Sequence, residues 1–369
     1  MKAVVTSVVL IRFLASRSIN QLRCWWSYAL SLLGVVRVRH LPTFVSVEPA
    51  NFCQLRCPEC PVGKGKTENG KVKTENGKGK TENGKGKTEN GKVKGESGKV
   101  MSMEVFEQVL KQVQETAHTM QFYFQGEPLL NKQLPAMIGK AHHAGLYTIV
   151  STNAQALTML MAQELVKSGL DRIIVSIDGF SEESYAAYRV GGSLHRALEG
   201  LEHLREAKME YGSSIRIELQ VLRLRTNEHE WEWIQRNYKT LGATHLVFKT
   251  AQLYDYEHGN PLMPSDERYS RYKKSADGTY HLRRSASANC ILPFRRKWRP
   301  CYRLWSGCVI TTAGDVLPCC YDKDHQHKLG NLTAQTLEGV WHGTKANALR
   351  KRILDGTEVL PEMCKNCDQ

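Results

Sequence analysis

Three cysteines lie close together in the stretch CQLRCPEC at residues 53–60. Their spacing, C-x3-C-x2-C, lets Cys53, Cys57 and Cys60 converge on one side of a tight loop, and soft thiolates suit zinc or an iron–sulfur cluster. A closed zinc site or an ordinary four-iron cluster uses four protein ligands. A compact set of three therefore leaves one metal position for another molecule, whereas a fourth thiol from elsewhere would make the site structural.

The remaining cysteines are concentrated at the carboxyl end of the chain, and only Cys24 stands outside both groups. Seven of the eleven lie beyond position 289: Cys290, Cys301, Cys308, Cys319, Cys320, Cys364 and Cys367. Such clusters would indicate disulfides in a secreted protein, but here their spacing indicates metal ligation in a reducing compartment. We therefore expect a cytoplasmic protein.

The chain has 369 residues, 41% hydrophobic content and a formal net charge of +14. These values predict a globular protein of one large or two ordinary domains. Residues 63–97 contain ten lysines and five glutamates, and with Lys99 they supply six of the net positive charges. Because the rest of the charge shows little clustering, we do not expect nucleic acid to be the partner, although an RNA-binding interpretation stays open.

The amino terminus, residues 1–42, is predicted to be a helical extension. Its two apolar runs, Val4–Leu10 and Trp25–Val36, are shorter than the roughly 20 residues that a bilayer-spanning helix needs. No persuasive signal-peptidase site follows the first run. We expect one or two helices packed on the domain, with a peripheral membrane contact through Trp25, Trp26 and the flanking arginines as the alternative.

A seven-residue unit related to GKGKTEN runs five times from Gly63 to Ser97. It has almost no apolar residues, so it cannot form a coiled-coil seam or offset the entropy cost of ordering. The segment 63–99 is predicted to be a disordered, exposed insertion.

Strands and helices alternate on either side of this insertion. The predicted strands are Thr43–Val47, Met120–Phe124, Tyr147–Ser151, Arg172–Ile177, Ile215–Val221 and His245–Lys249. The predicted helices are one capped by Ser102, then Leu134–Ala144, Leu157–Ser168, Leu194–Tyr211 and Glu228–Leu241. Six strands separated by helices indicate an α/β fold with a parallel sheet or barrel over residues 43–250.

The cysteine spacing and this alternation resemble the radical SAM enzymes. In that family three cysteines hold three irons of a 4Fe–4S cluster, and the fourth iron chelates S-adenosylmethionine. The resemblance implies a partial six-stranded (β/α)6 barrel, whose ligand sites lie at the carboxyl ends of the strands. One departure is Glu59, which stands before the third cysteine where the family commonly has an aromatic residue, so adenine would rest on Phe52, Val62 or backbone instead.

The resemblance also implies the residues that bind the cofactor, because unusual polar residues follow the predicted strands. Gln125-Gly126-Glu127-Pro128 is similar to the family's Gly-Gly-Glu-Pro, in which the backbone and glutamate receive the methionine ammonium group. Thr152 and Asn153 would lie near the cofactor, and Ser176 and Asp178 would contact the ribose. Gln220 or Glu218 on the fifth strand would lie beside adenine; we assign Gln220.

The carboxyl-terminal region, residues 301–369, resembles the SPASM or related twitch extension of these enzymes. A hairpin is predicted around Gly314, followed by Cys319, a helix near Leu337–Trp341 and a terminal C-x2-C motif. The resemblance implies a small α+β domain whose auxiliary 4Fe–4S cluster is held by Cys301, Cys319, Cys364 and Cys367. Zinc is the alternative for this site, and Cys320 or Cys308 could substitute as a ligand or be simply a small buried residue. Residues 251–300 are predicted to be a linker.

The resemblance to these families implies an enzyme that reductively cleaves S-adenosylmethionine and abstracts hydrogen from a peptide or protein side chain. An electron donor such as flavodoxin or ferredoxin would be its partner. The alternatives are a non-catalytic or electron-transfer iron–sulfur protein, or a radical SAM enzyme that acts on a small molecule or RNA.

Overall fold

The structure is a computed structural model that describes residues 2–64, 98–283, 301–355 and 360–367, with side chains from residue 15 onward. Cys290 lies outside these residues, as do residues 65–97 of the predicted repeat insertion. Over the part that is described, no helix is both long enough and apolar enough to cross a membrane.

Strands and helices alternate through most of the described chain. The strands are β1 (Phe44–Val47), β2 (Thr119–Phe122), β3 (Tyr147–Thr152), β4 (Arg172–Ser176), β5 (Arg216–Arg223), β6 (His245–Thr250), β7 (Tyr272–Lys274), β8 (Tyr280–Leu282), β9 (Gly307–Ile310), β10 (Asp315–Leu317) and β11 (Gly330–Asn331). The helices are α1 (Lys2–Ser31), α2 (Met103–Val113), α3 (Leu134–His143), α4 (Met159–Lys167), α5 (Glu182–Tyr188), α6 (Leu194–Glu210), α7 (Trp231–Asn237), α8 (Tyr302–Ser306), α9 (Leu337–Trp341), α10 (Thr344–Asp355) and α11 (Glu362–Lys365).

Strands β1 to β6 form one parallel sheet in sequence order, which confirms the predicted α/β class. Neighbouring strands that run parallel need a crossover, and helices α2, α3, α4 and α6 supply it between β1 and β5. In the described residues β6 pairs with β5 alone, so the sheet is an open, partial barrel. All six carboxyl ends therefore meet at one rim.

Local sequence explains how these helices form. The hydroxyl oxygen of Ser102 accepts a hydrogen bond from the backbone N–H of Val105, so Ser102 caps α2 as predicted. Phe106 and Val109 recur on one face of α2 and are fully buried against the sheet. Burial of each such side chain contributes about 1.5–3 kcal/mol, which fixes the helix on the strands.

The carboxyl-terminal strands extend the same sheet rather than forming a separate one. Strand β9 pairs in parallel with β1, and β10 and β11 follow in antiparallel order. The predicted hairpin joins β9 to β10, and Gly314 has a φ of +82° at its turn. Glycine adopts this left-handed conformation without a steric penalty, which explains why it stands there.

Helix α1 is a single helix that lies across the amino ends of the strands. The guanidinium of Arg17 is buried and donates hydrogen bonds to carbonyl oxygens of Gln114, Ala144 and Gly145 at the ends of α2 and α3. Cationic donors at helix carboxyl ends satisfy carbonyls that the helix itself leaves unpaired. The amino-terminal extension is thereby attached to the barrel.

Residues 251–283, which belong to the predicted linker, have structure of their own. Strands β7 and β8 pair in antiparallel register, and the side chain of Tyr272 is fully buried. The Tyr272 hydroxyl donates to the backbone oxygen of Leu253 over 2.9 Å and also contacts Asn366 near the carboxyl end. This segment therefore packs between the barrel and the last described residues. Its poor periodicity reflects short strands rather than an absence of structure.

Candidate functional site

The loop with Cys53, Cys57 and Cys60 follows β1 at the carboxyl rim of the sheet. Hydrogen-bond donors are directed at its sulfur atoms: Leu55 N lies 3.4 Å from Cys53 Sγ, and Arg189 Nη1 lies 3.9 Å from Cys57 Sγ. Burial, together with the nearby Glu127, Cys57 and Cys60, raises the pKa of Cys53 to about 12. A bound metal centre would favour the thiolate form, and the donors suit sulfurs that carry negative charge.

Two glycines allow the polypeptide to fold tightly around this loop. A Cβ atom on Gly63 would lie 2.5 Å from the backbone oxygen of Cys57, and one on Gly126 would lie 2.1 Å from the backbone oxygen of Ala50. Neither distance can accommodate a side chain. The glycine that follows Gln125 in the sequence motif is thus required for the close approach of the β2 rim to the cysteine loop.

Glu127 is buried beside this loop, and its two carboxylate oxygens accept different numbers of hydrogen bonds. Oε1 accepts hydrogen bonds from Thr152 Oγ1 at 2.6 Å and from the Leu129 backbone N–H at 3.2 Å, whereas Oε2 accepts one from the Asn153 backbone N–H at 2.9 Å. Burial raises the pKa of the Glu127 carboxyl, and these three donors oppose the rise. A carboxylate offers about four acceptor positions, so Oε2 retains one.

The β3 residues Thr152 and Asn153 are both buried and connect three parts of the rim. Asn153 Nδ2 donates to Cys53 Sγ over 3.3 Å, and its Oδ1 accepts from Gln54 Nε2 at 3.1 Å. The Thr152 hydroxyl donates to Glu127. The sequence analysis placed both residues near the cofactor; the structure brings them against the cysteine loop and Glu127.

The predicted nucleoside-binding residues of β4, the turn after it and β5 differ in how firmly the protein holds their side chains. Ser176 and Gln220 face each other across the two strands, with 3.5 Å between Gln220 Nε2 and Ser176 Oγ. Asp178 is fully buried: its Oδ1 accepts from the Leu222 backbone N–H at 2.6 Å, and its Oδ2 lies 2.6 Å from Arg189 Nη2. The Asp178 carboxylate is therefore engaged by the protein, whereas Gln220 remains partly accessible beside the buried Ser176.

Arg189, which the sequence analysis did not select, joins Asp178 to the cysteine loop. It follows the short helix α5, which was not predicted because seven residues carry too little periodicity to recognise. The Ser181 and Ser184 side chains form a reciprocal capping box at the start of α5. That Ser-x-x-Ser pattern is the signal that could have indicated the helix.

Glu218, the other residue considered for adenine, faces the barrel interior below Gln220. It is fully buried and lies 2.6 Å from Arg172 Nη2 and 3.0 Å from Arg216 Nη2. A carboxylate held by two guanidinium groups is a structural ion pair of adjacent strands. Glu218 is therefore held within the protein, and the assignment of Gln220 to adenine stays a prediction.

Glu59 replaces the family's aromatic residue and has a different set of contacts. Its carboxylate accepts a hydrogen bond from the Tyr254 backbone N–H at 2.9 Å, and Lys64 Nζ lies 3.7 Å from it. Glu59 therefore attaches residues 251–283 to the cysteine loop. Phe52 lies under Gly98, where an added Cβ would be 2.4 Å from its ring.

The carboxyl-terminal cysteines form a second group. Burial raises the pKa of Cys364 to about 12, with further contributions from nearby Cys301 and Cys367. A hydrogen bond with Cys320, together with burial and the nearby Cys301, raises the pKa of the Cys319 thiol, and Cys320 Sγ lies 3.8 Å from Arg303 Nη1. Thiols alter one another's pKa only when they lie close together, so these cysteines form one group. Cys308 is fully buried in the hydrophobic core, against which Cys301 and Cys364 pack.

The described residues contain no three His, Cys, Asp or Glu side chains close enough to hold a single metal ion. A cubane cluster spreads its thiolate ligands farther apart than one zinc ion does. The donors directed at the sulfurs of Cys53 and Cys57 suit thiolates of the kind that bind an iron–sulfur cluster.

Comparisons with known proteins agree with this geometry. The model of the radical SAM superfamily matches residues 47–219, and the model of an iron–sulfur cluster-binding domain, SPASM, matches residues 301–368. The first implies a 4Fe–4S cluster and S-adenosylmethionine as cofactors, and the second implies additional iron–sulfur binding.

Two curated relatives are both named PqqA peptide cyclase. The relative from Ruegeria pomeroyi is 28% identical over 66% of this chain and 65% of its own length. The relative from Granulibacter bethesdensis is 25% identical over 71% of each chain. The match thus spans about two thirds of the length of these proteins.

Among solved structures, SuiB of Streptococcus suis bound to the precursor peptide SuiA has a TM-score of 0.57 and 12% identity. The similarity covers 87% of this chain and 69% of SuiB, and it shows a shared fold. Both family models match in the predicted order, so the chain contains a radical SAM domain over residues 47–219 and a carboxyl-terminal SPASM domain over residues 301–368.

Proposed function

We propose that this protein is a peptide-modifying radical SAM enzyme whose SAM-binding cluster is held by Cys53, Cys57 and Cys60. The observation that carries the proposal is the convergence of three thiols with Glu127 and Asn153 at one rim of the sheet. Reductive cleavage of the bound sulfonium and abstraction of a substrate hydrogen atom are the chemistry that the cluster and S-adenosylmethionine supply when bound.

Glu127 would bind the methionine ammonium group. One acceptor position of Oε2 remains after the bonds from Thr152, Leu129 and Asn153, and a cation there would offset the cost of burying the carboxylate. Gly126 and Pro128 would position this glutamate, since Gly126 permits the close backbone contact and Pro128 begins the following 3-10 turn.

Ser176 and Gln220 would provide the polar contacts to the nucleoside part of the cofactor, because they face each other across β4 and β5 and Gln220 is partly exposed. Asp178 would position Arg189 rather than contact the ribose directly. Its carboxylate would hold Arg189, and the Arg189 guanidinium would stabilise negative charge on Cys57. Thr152 and Asn153 would likewise position Glu127 and Cys53.

The auxiliary cluster would be held by the thiols of Cys301, Cys319, Cys364 and Cys367. The mutual electrostatic effects among the described thiols support this set. Cys320, whose thiol hydrogen-bonds with Cys319 and lies beside Arg303, is the alternative ligand. A separate electron donor such as flavodoxin or ferredoxin would reduce the enzyme. We place the protein in the cytoplasm because closely spaced thiols of this kind serve as metal ligands in a reducing compartment.

A peptide is the proposed substrate because both curated relatives are named for a peptide. The test is to incubate the anaerobically reconstituted enzyme with S-adenosylmethionine, dithionite and small peptides encoded beside its gene. Mass spectrometry should show a modified peptide together with 5'-deoxyadenosine. Formation of 5'-deoxyadenosine with every such peptide unchanged would contradict the substrate class. Absence of both products from a fully loaded protein would instead indicate an electron-transfer protein.

A further inference from the structure

The amphipathic pattern of α1 is inverted over its described side chains. The residues that face the barrel are polar or small and follow helical spacing: Arg17, Asn20, Cys24, Ser27 and Ser31, all buried. Asn20 Nδ2 donates to the backbone oxygens of Leu41 and Thr116, and Ser27 Oγ lies 3.1 Å from His40 Nδ1. A surface helix ordinarily buries its apolar stripe, so this helix is attached to the barrel through its polar side.

The opposite side of α1 is apolar and exposed to solvent. Its large residues have relative exposures of 51% for Ile19, 60% for Leu22, 56% for Trp25 and 66% for Trp26. Leu33, just beyond the helix, is 68% exposed. Single exposed apolar residues are common, but a contiguous stripe with two tryptophans on one helix indicates a surface that binds a partner.

Electric charge distinguishes among possible partners. The first 47 residues contain six lysines or arginines and no aspartate or glutamate. Arg23 on α1 and Arg37 and Arg39 after it are exposed. A purely cationic segment repels a second copy of itself and is attracted to an anionic surface. Tryptophan, with an apolar ring and a polar N–H, is typical of the boundary between lipid headgroups and acyl chains.

The length and position of the helix fit attachment to a membrane surface. Thirty helical residues extend about 45 Å. Helix α1 contacts residues at the amino ends of the strands, such as Leu41 and Thr116, whereas the cysteine loop lies at their carboxyl ends. The apolar stripe faces away from the barrel. A surface bound to it would leave the proposed cofactor site accessible from the aqueous side.

We propose that α1 is an interfacial helix that attaches this protein to an anionic lipid bilayer through Ile19, Leu22, Trp25 and Trp26. The helix lies in the plane of the headgroups, with Arg23, Arg37 and Arg39 beside lipid phosphates. This inference is independent of the proposed function.

The test uses the full-length protein and sedimentation with sucrose-loaded vesicles. One set contains phosphatidylcholine alone, and the other contains roughly one part phosphatidylglycerol to two parts phosphatidylcholine, a strongly anionic surface. We expect binding to the anionic vesicles that weakens as salt is raised. Leu22→Glu combined with Trp26→Glu should reduce the partition coefficient at least roughly tenfold, because both apolar contacts are lost and two charges repel the surface.

Leu160→Glu is the matched control, since Leu160 is equally exposed, at 66%, on α4. This variant should bind vesicles as the unaltered protein does. Circular dichroism and iron content verify that each variant is folded. Equal binding by the double variant would overturn the proposal, and so would failure of the unaltered protein to bind anionic vesicles. A concentration-dependent dimer that the double variant abolishes, without vesicle binding, would instead identify a second copy as the partner.

Discussion

Asn153 donates a hydrogen bond from its Nδ2 atom to Cys53 Sγ over 3.3 Å, while its backbone N–H donates to Glu127 Oε2 over 2.9 Å. One residue at the end of β3 thereby connects the first thiol of the cysteine loop to the only acidic residue of the β2 rim motif. The proposed cluster site and the proposed ammonium site are thus joined by two hydrogen bonds. A substitution at either site is therefore expected to alter binding at the other.

Glu127→Gln should weaken binding of S-adenosylmethionine about tenfold to hundredfold, because a charge-assisted hydrogen bond to the ammonium group is lost. Equilibrium dialysis against the reconstituted, unreduced protein measures this change. Glu59→Gln is the matched control: Glu59 lies in the cysteine loop but contacts Tyr254. That variant should keep its affinity within about threefold. Equal losses in the two variants would argue against a specific ammonium site at Glu127.

Arg189→Gln should lower the free energy of unfolding of the apoprotein by about 3–5 kcal/mol, since it leaves the Asp178 carboxylate buried without a countercharge. Adding Asp178→Asn should recover much of that loss. Urea unfolding of both single variants and the double variant gives the coupling energy. Arg196→Gln, at an exposed position on α6, is the control. Strict additivity of the two single changes would contradict the buried ion pair.

Arg17→Ala should destabilise the protein by about 3 kcal/mol, because carbonyl groups at the ends of α2 and α3 lose their cationic donor. Arg23→Ala removes an exposed arginine from the same helix and should change stability by less than about 0.5 kcal/mol. Thermal unfolding and limited proteolysis of α1 measure both effects. Similar values for the two variants would show that the Arg17 contacts contribute little.

Acid should destabilise the protein through His40. Burial lowers the pKa of this imidazole from 6.5 to about 4, and its ring nitrogens contact Ser27 Oγ and the Trp305 backbone oxygen. Between these two pH values the unfolded chain binds more protons at His40 than the folded protein does. The stability that the neutral, buried imidazole contributes is therefore present above pH 6.5 and lost as the pH falls toward 4.

Protonation of His40 should lower the free energy of unfolding by about 2 kcal/mol between pH 7 and pH 5. It is measured by urea unfolding at both pH values. His40→Gln should remove this part of the pH dependence, whereas His245→Gln, at an exposed site, should retain it. An unchanged pH dependence in the His40 variant would contradict the assignment.

Sequence reasoning was most successful where local patterns decide the structure. The six parallel strands and the Ser102 cap follow from apolar periodicity and capping chemistry, which act within a few residues. Arg189 was missed because its contacts with Asp178 and Cys57 depend on the turn around the short helix α5. Such contacts between distant segments leave no periodic signal.

Side-chain roles at the rim required the structure for the same reason. The sequence indicated that Asp178 follows a strand, but its engagement by Arg189 depends on packing from outside that strand. The connection of residues 251–283 to the cysteine loop likewise depends on one buried carboxylate, Glu59, which reads in the sequence only as a departure from the family pattern.

The central claim is that the cysteine loop holds a cluster with an open position for S-adenosylmethionine, separate from the auxiliary site. The most direct measurement is 5'-deoxyadenosine formation under dithionite by the reconstituted protein and its Cys57→Ser variant, each with iron content and electron paramagnetic resonance spectra. We predict about eight irons per chain and turnover in the unaltered protein. Cys57→Ser should abolish turnover and retain the auxiliary spectrum. Turnover that persists in Cys57→Ser, or loss of both cluster signals together, would contradict this account.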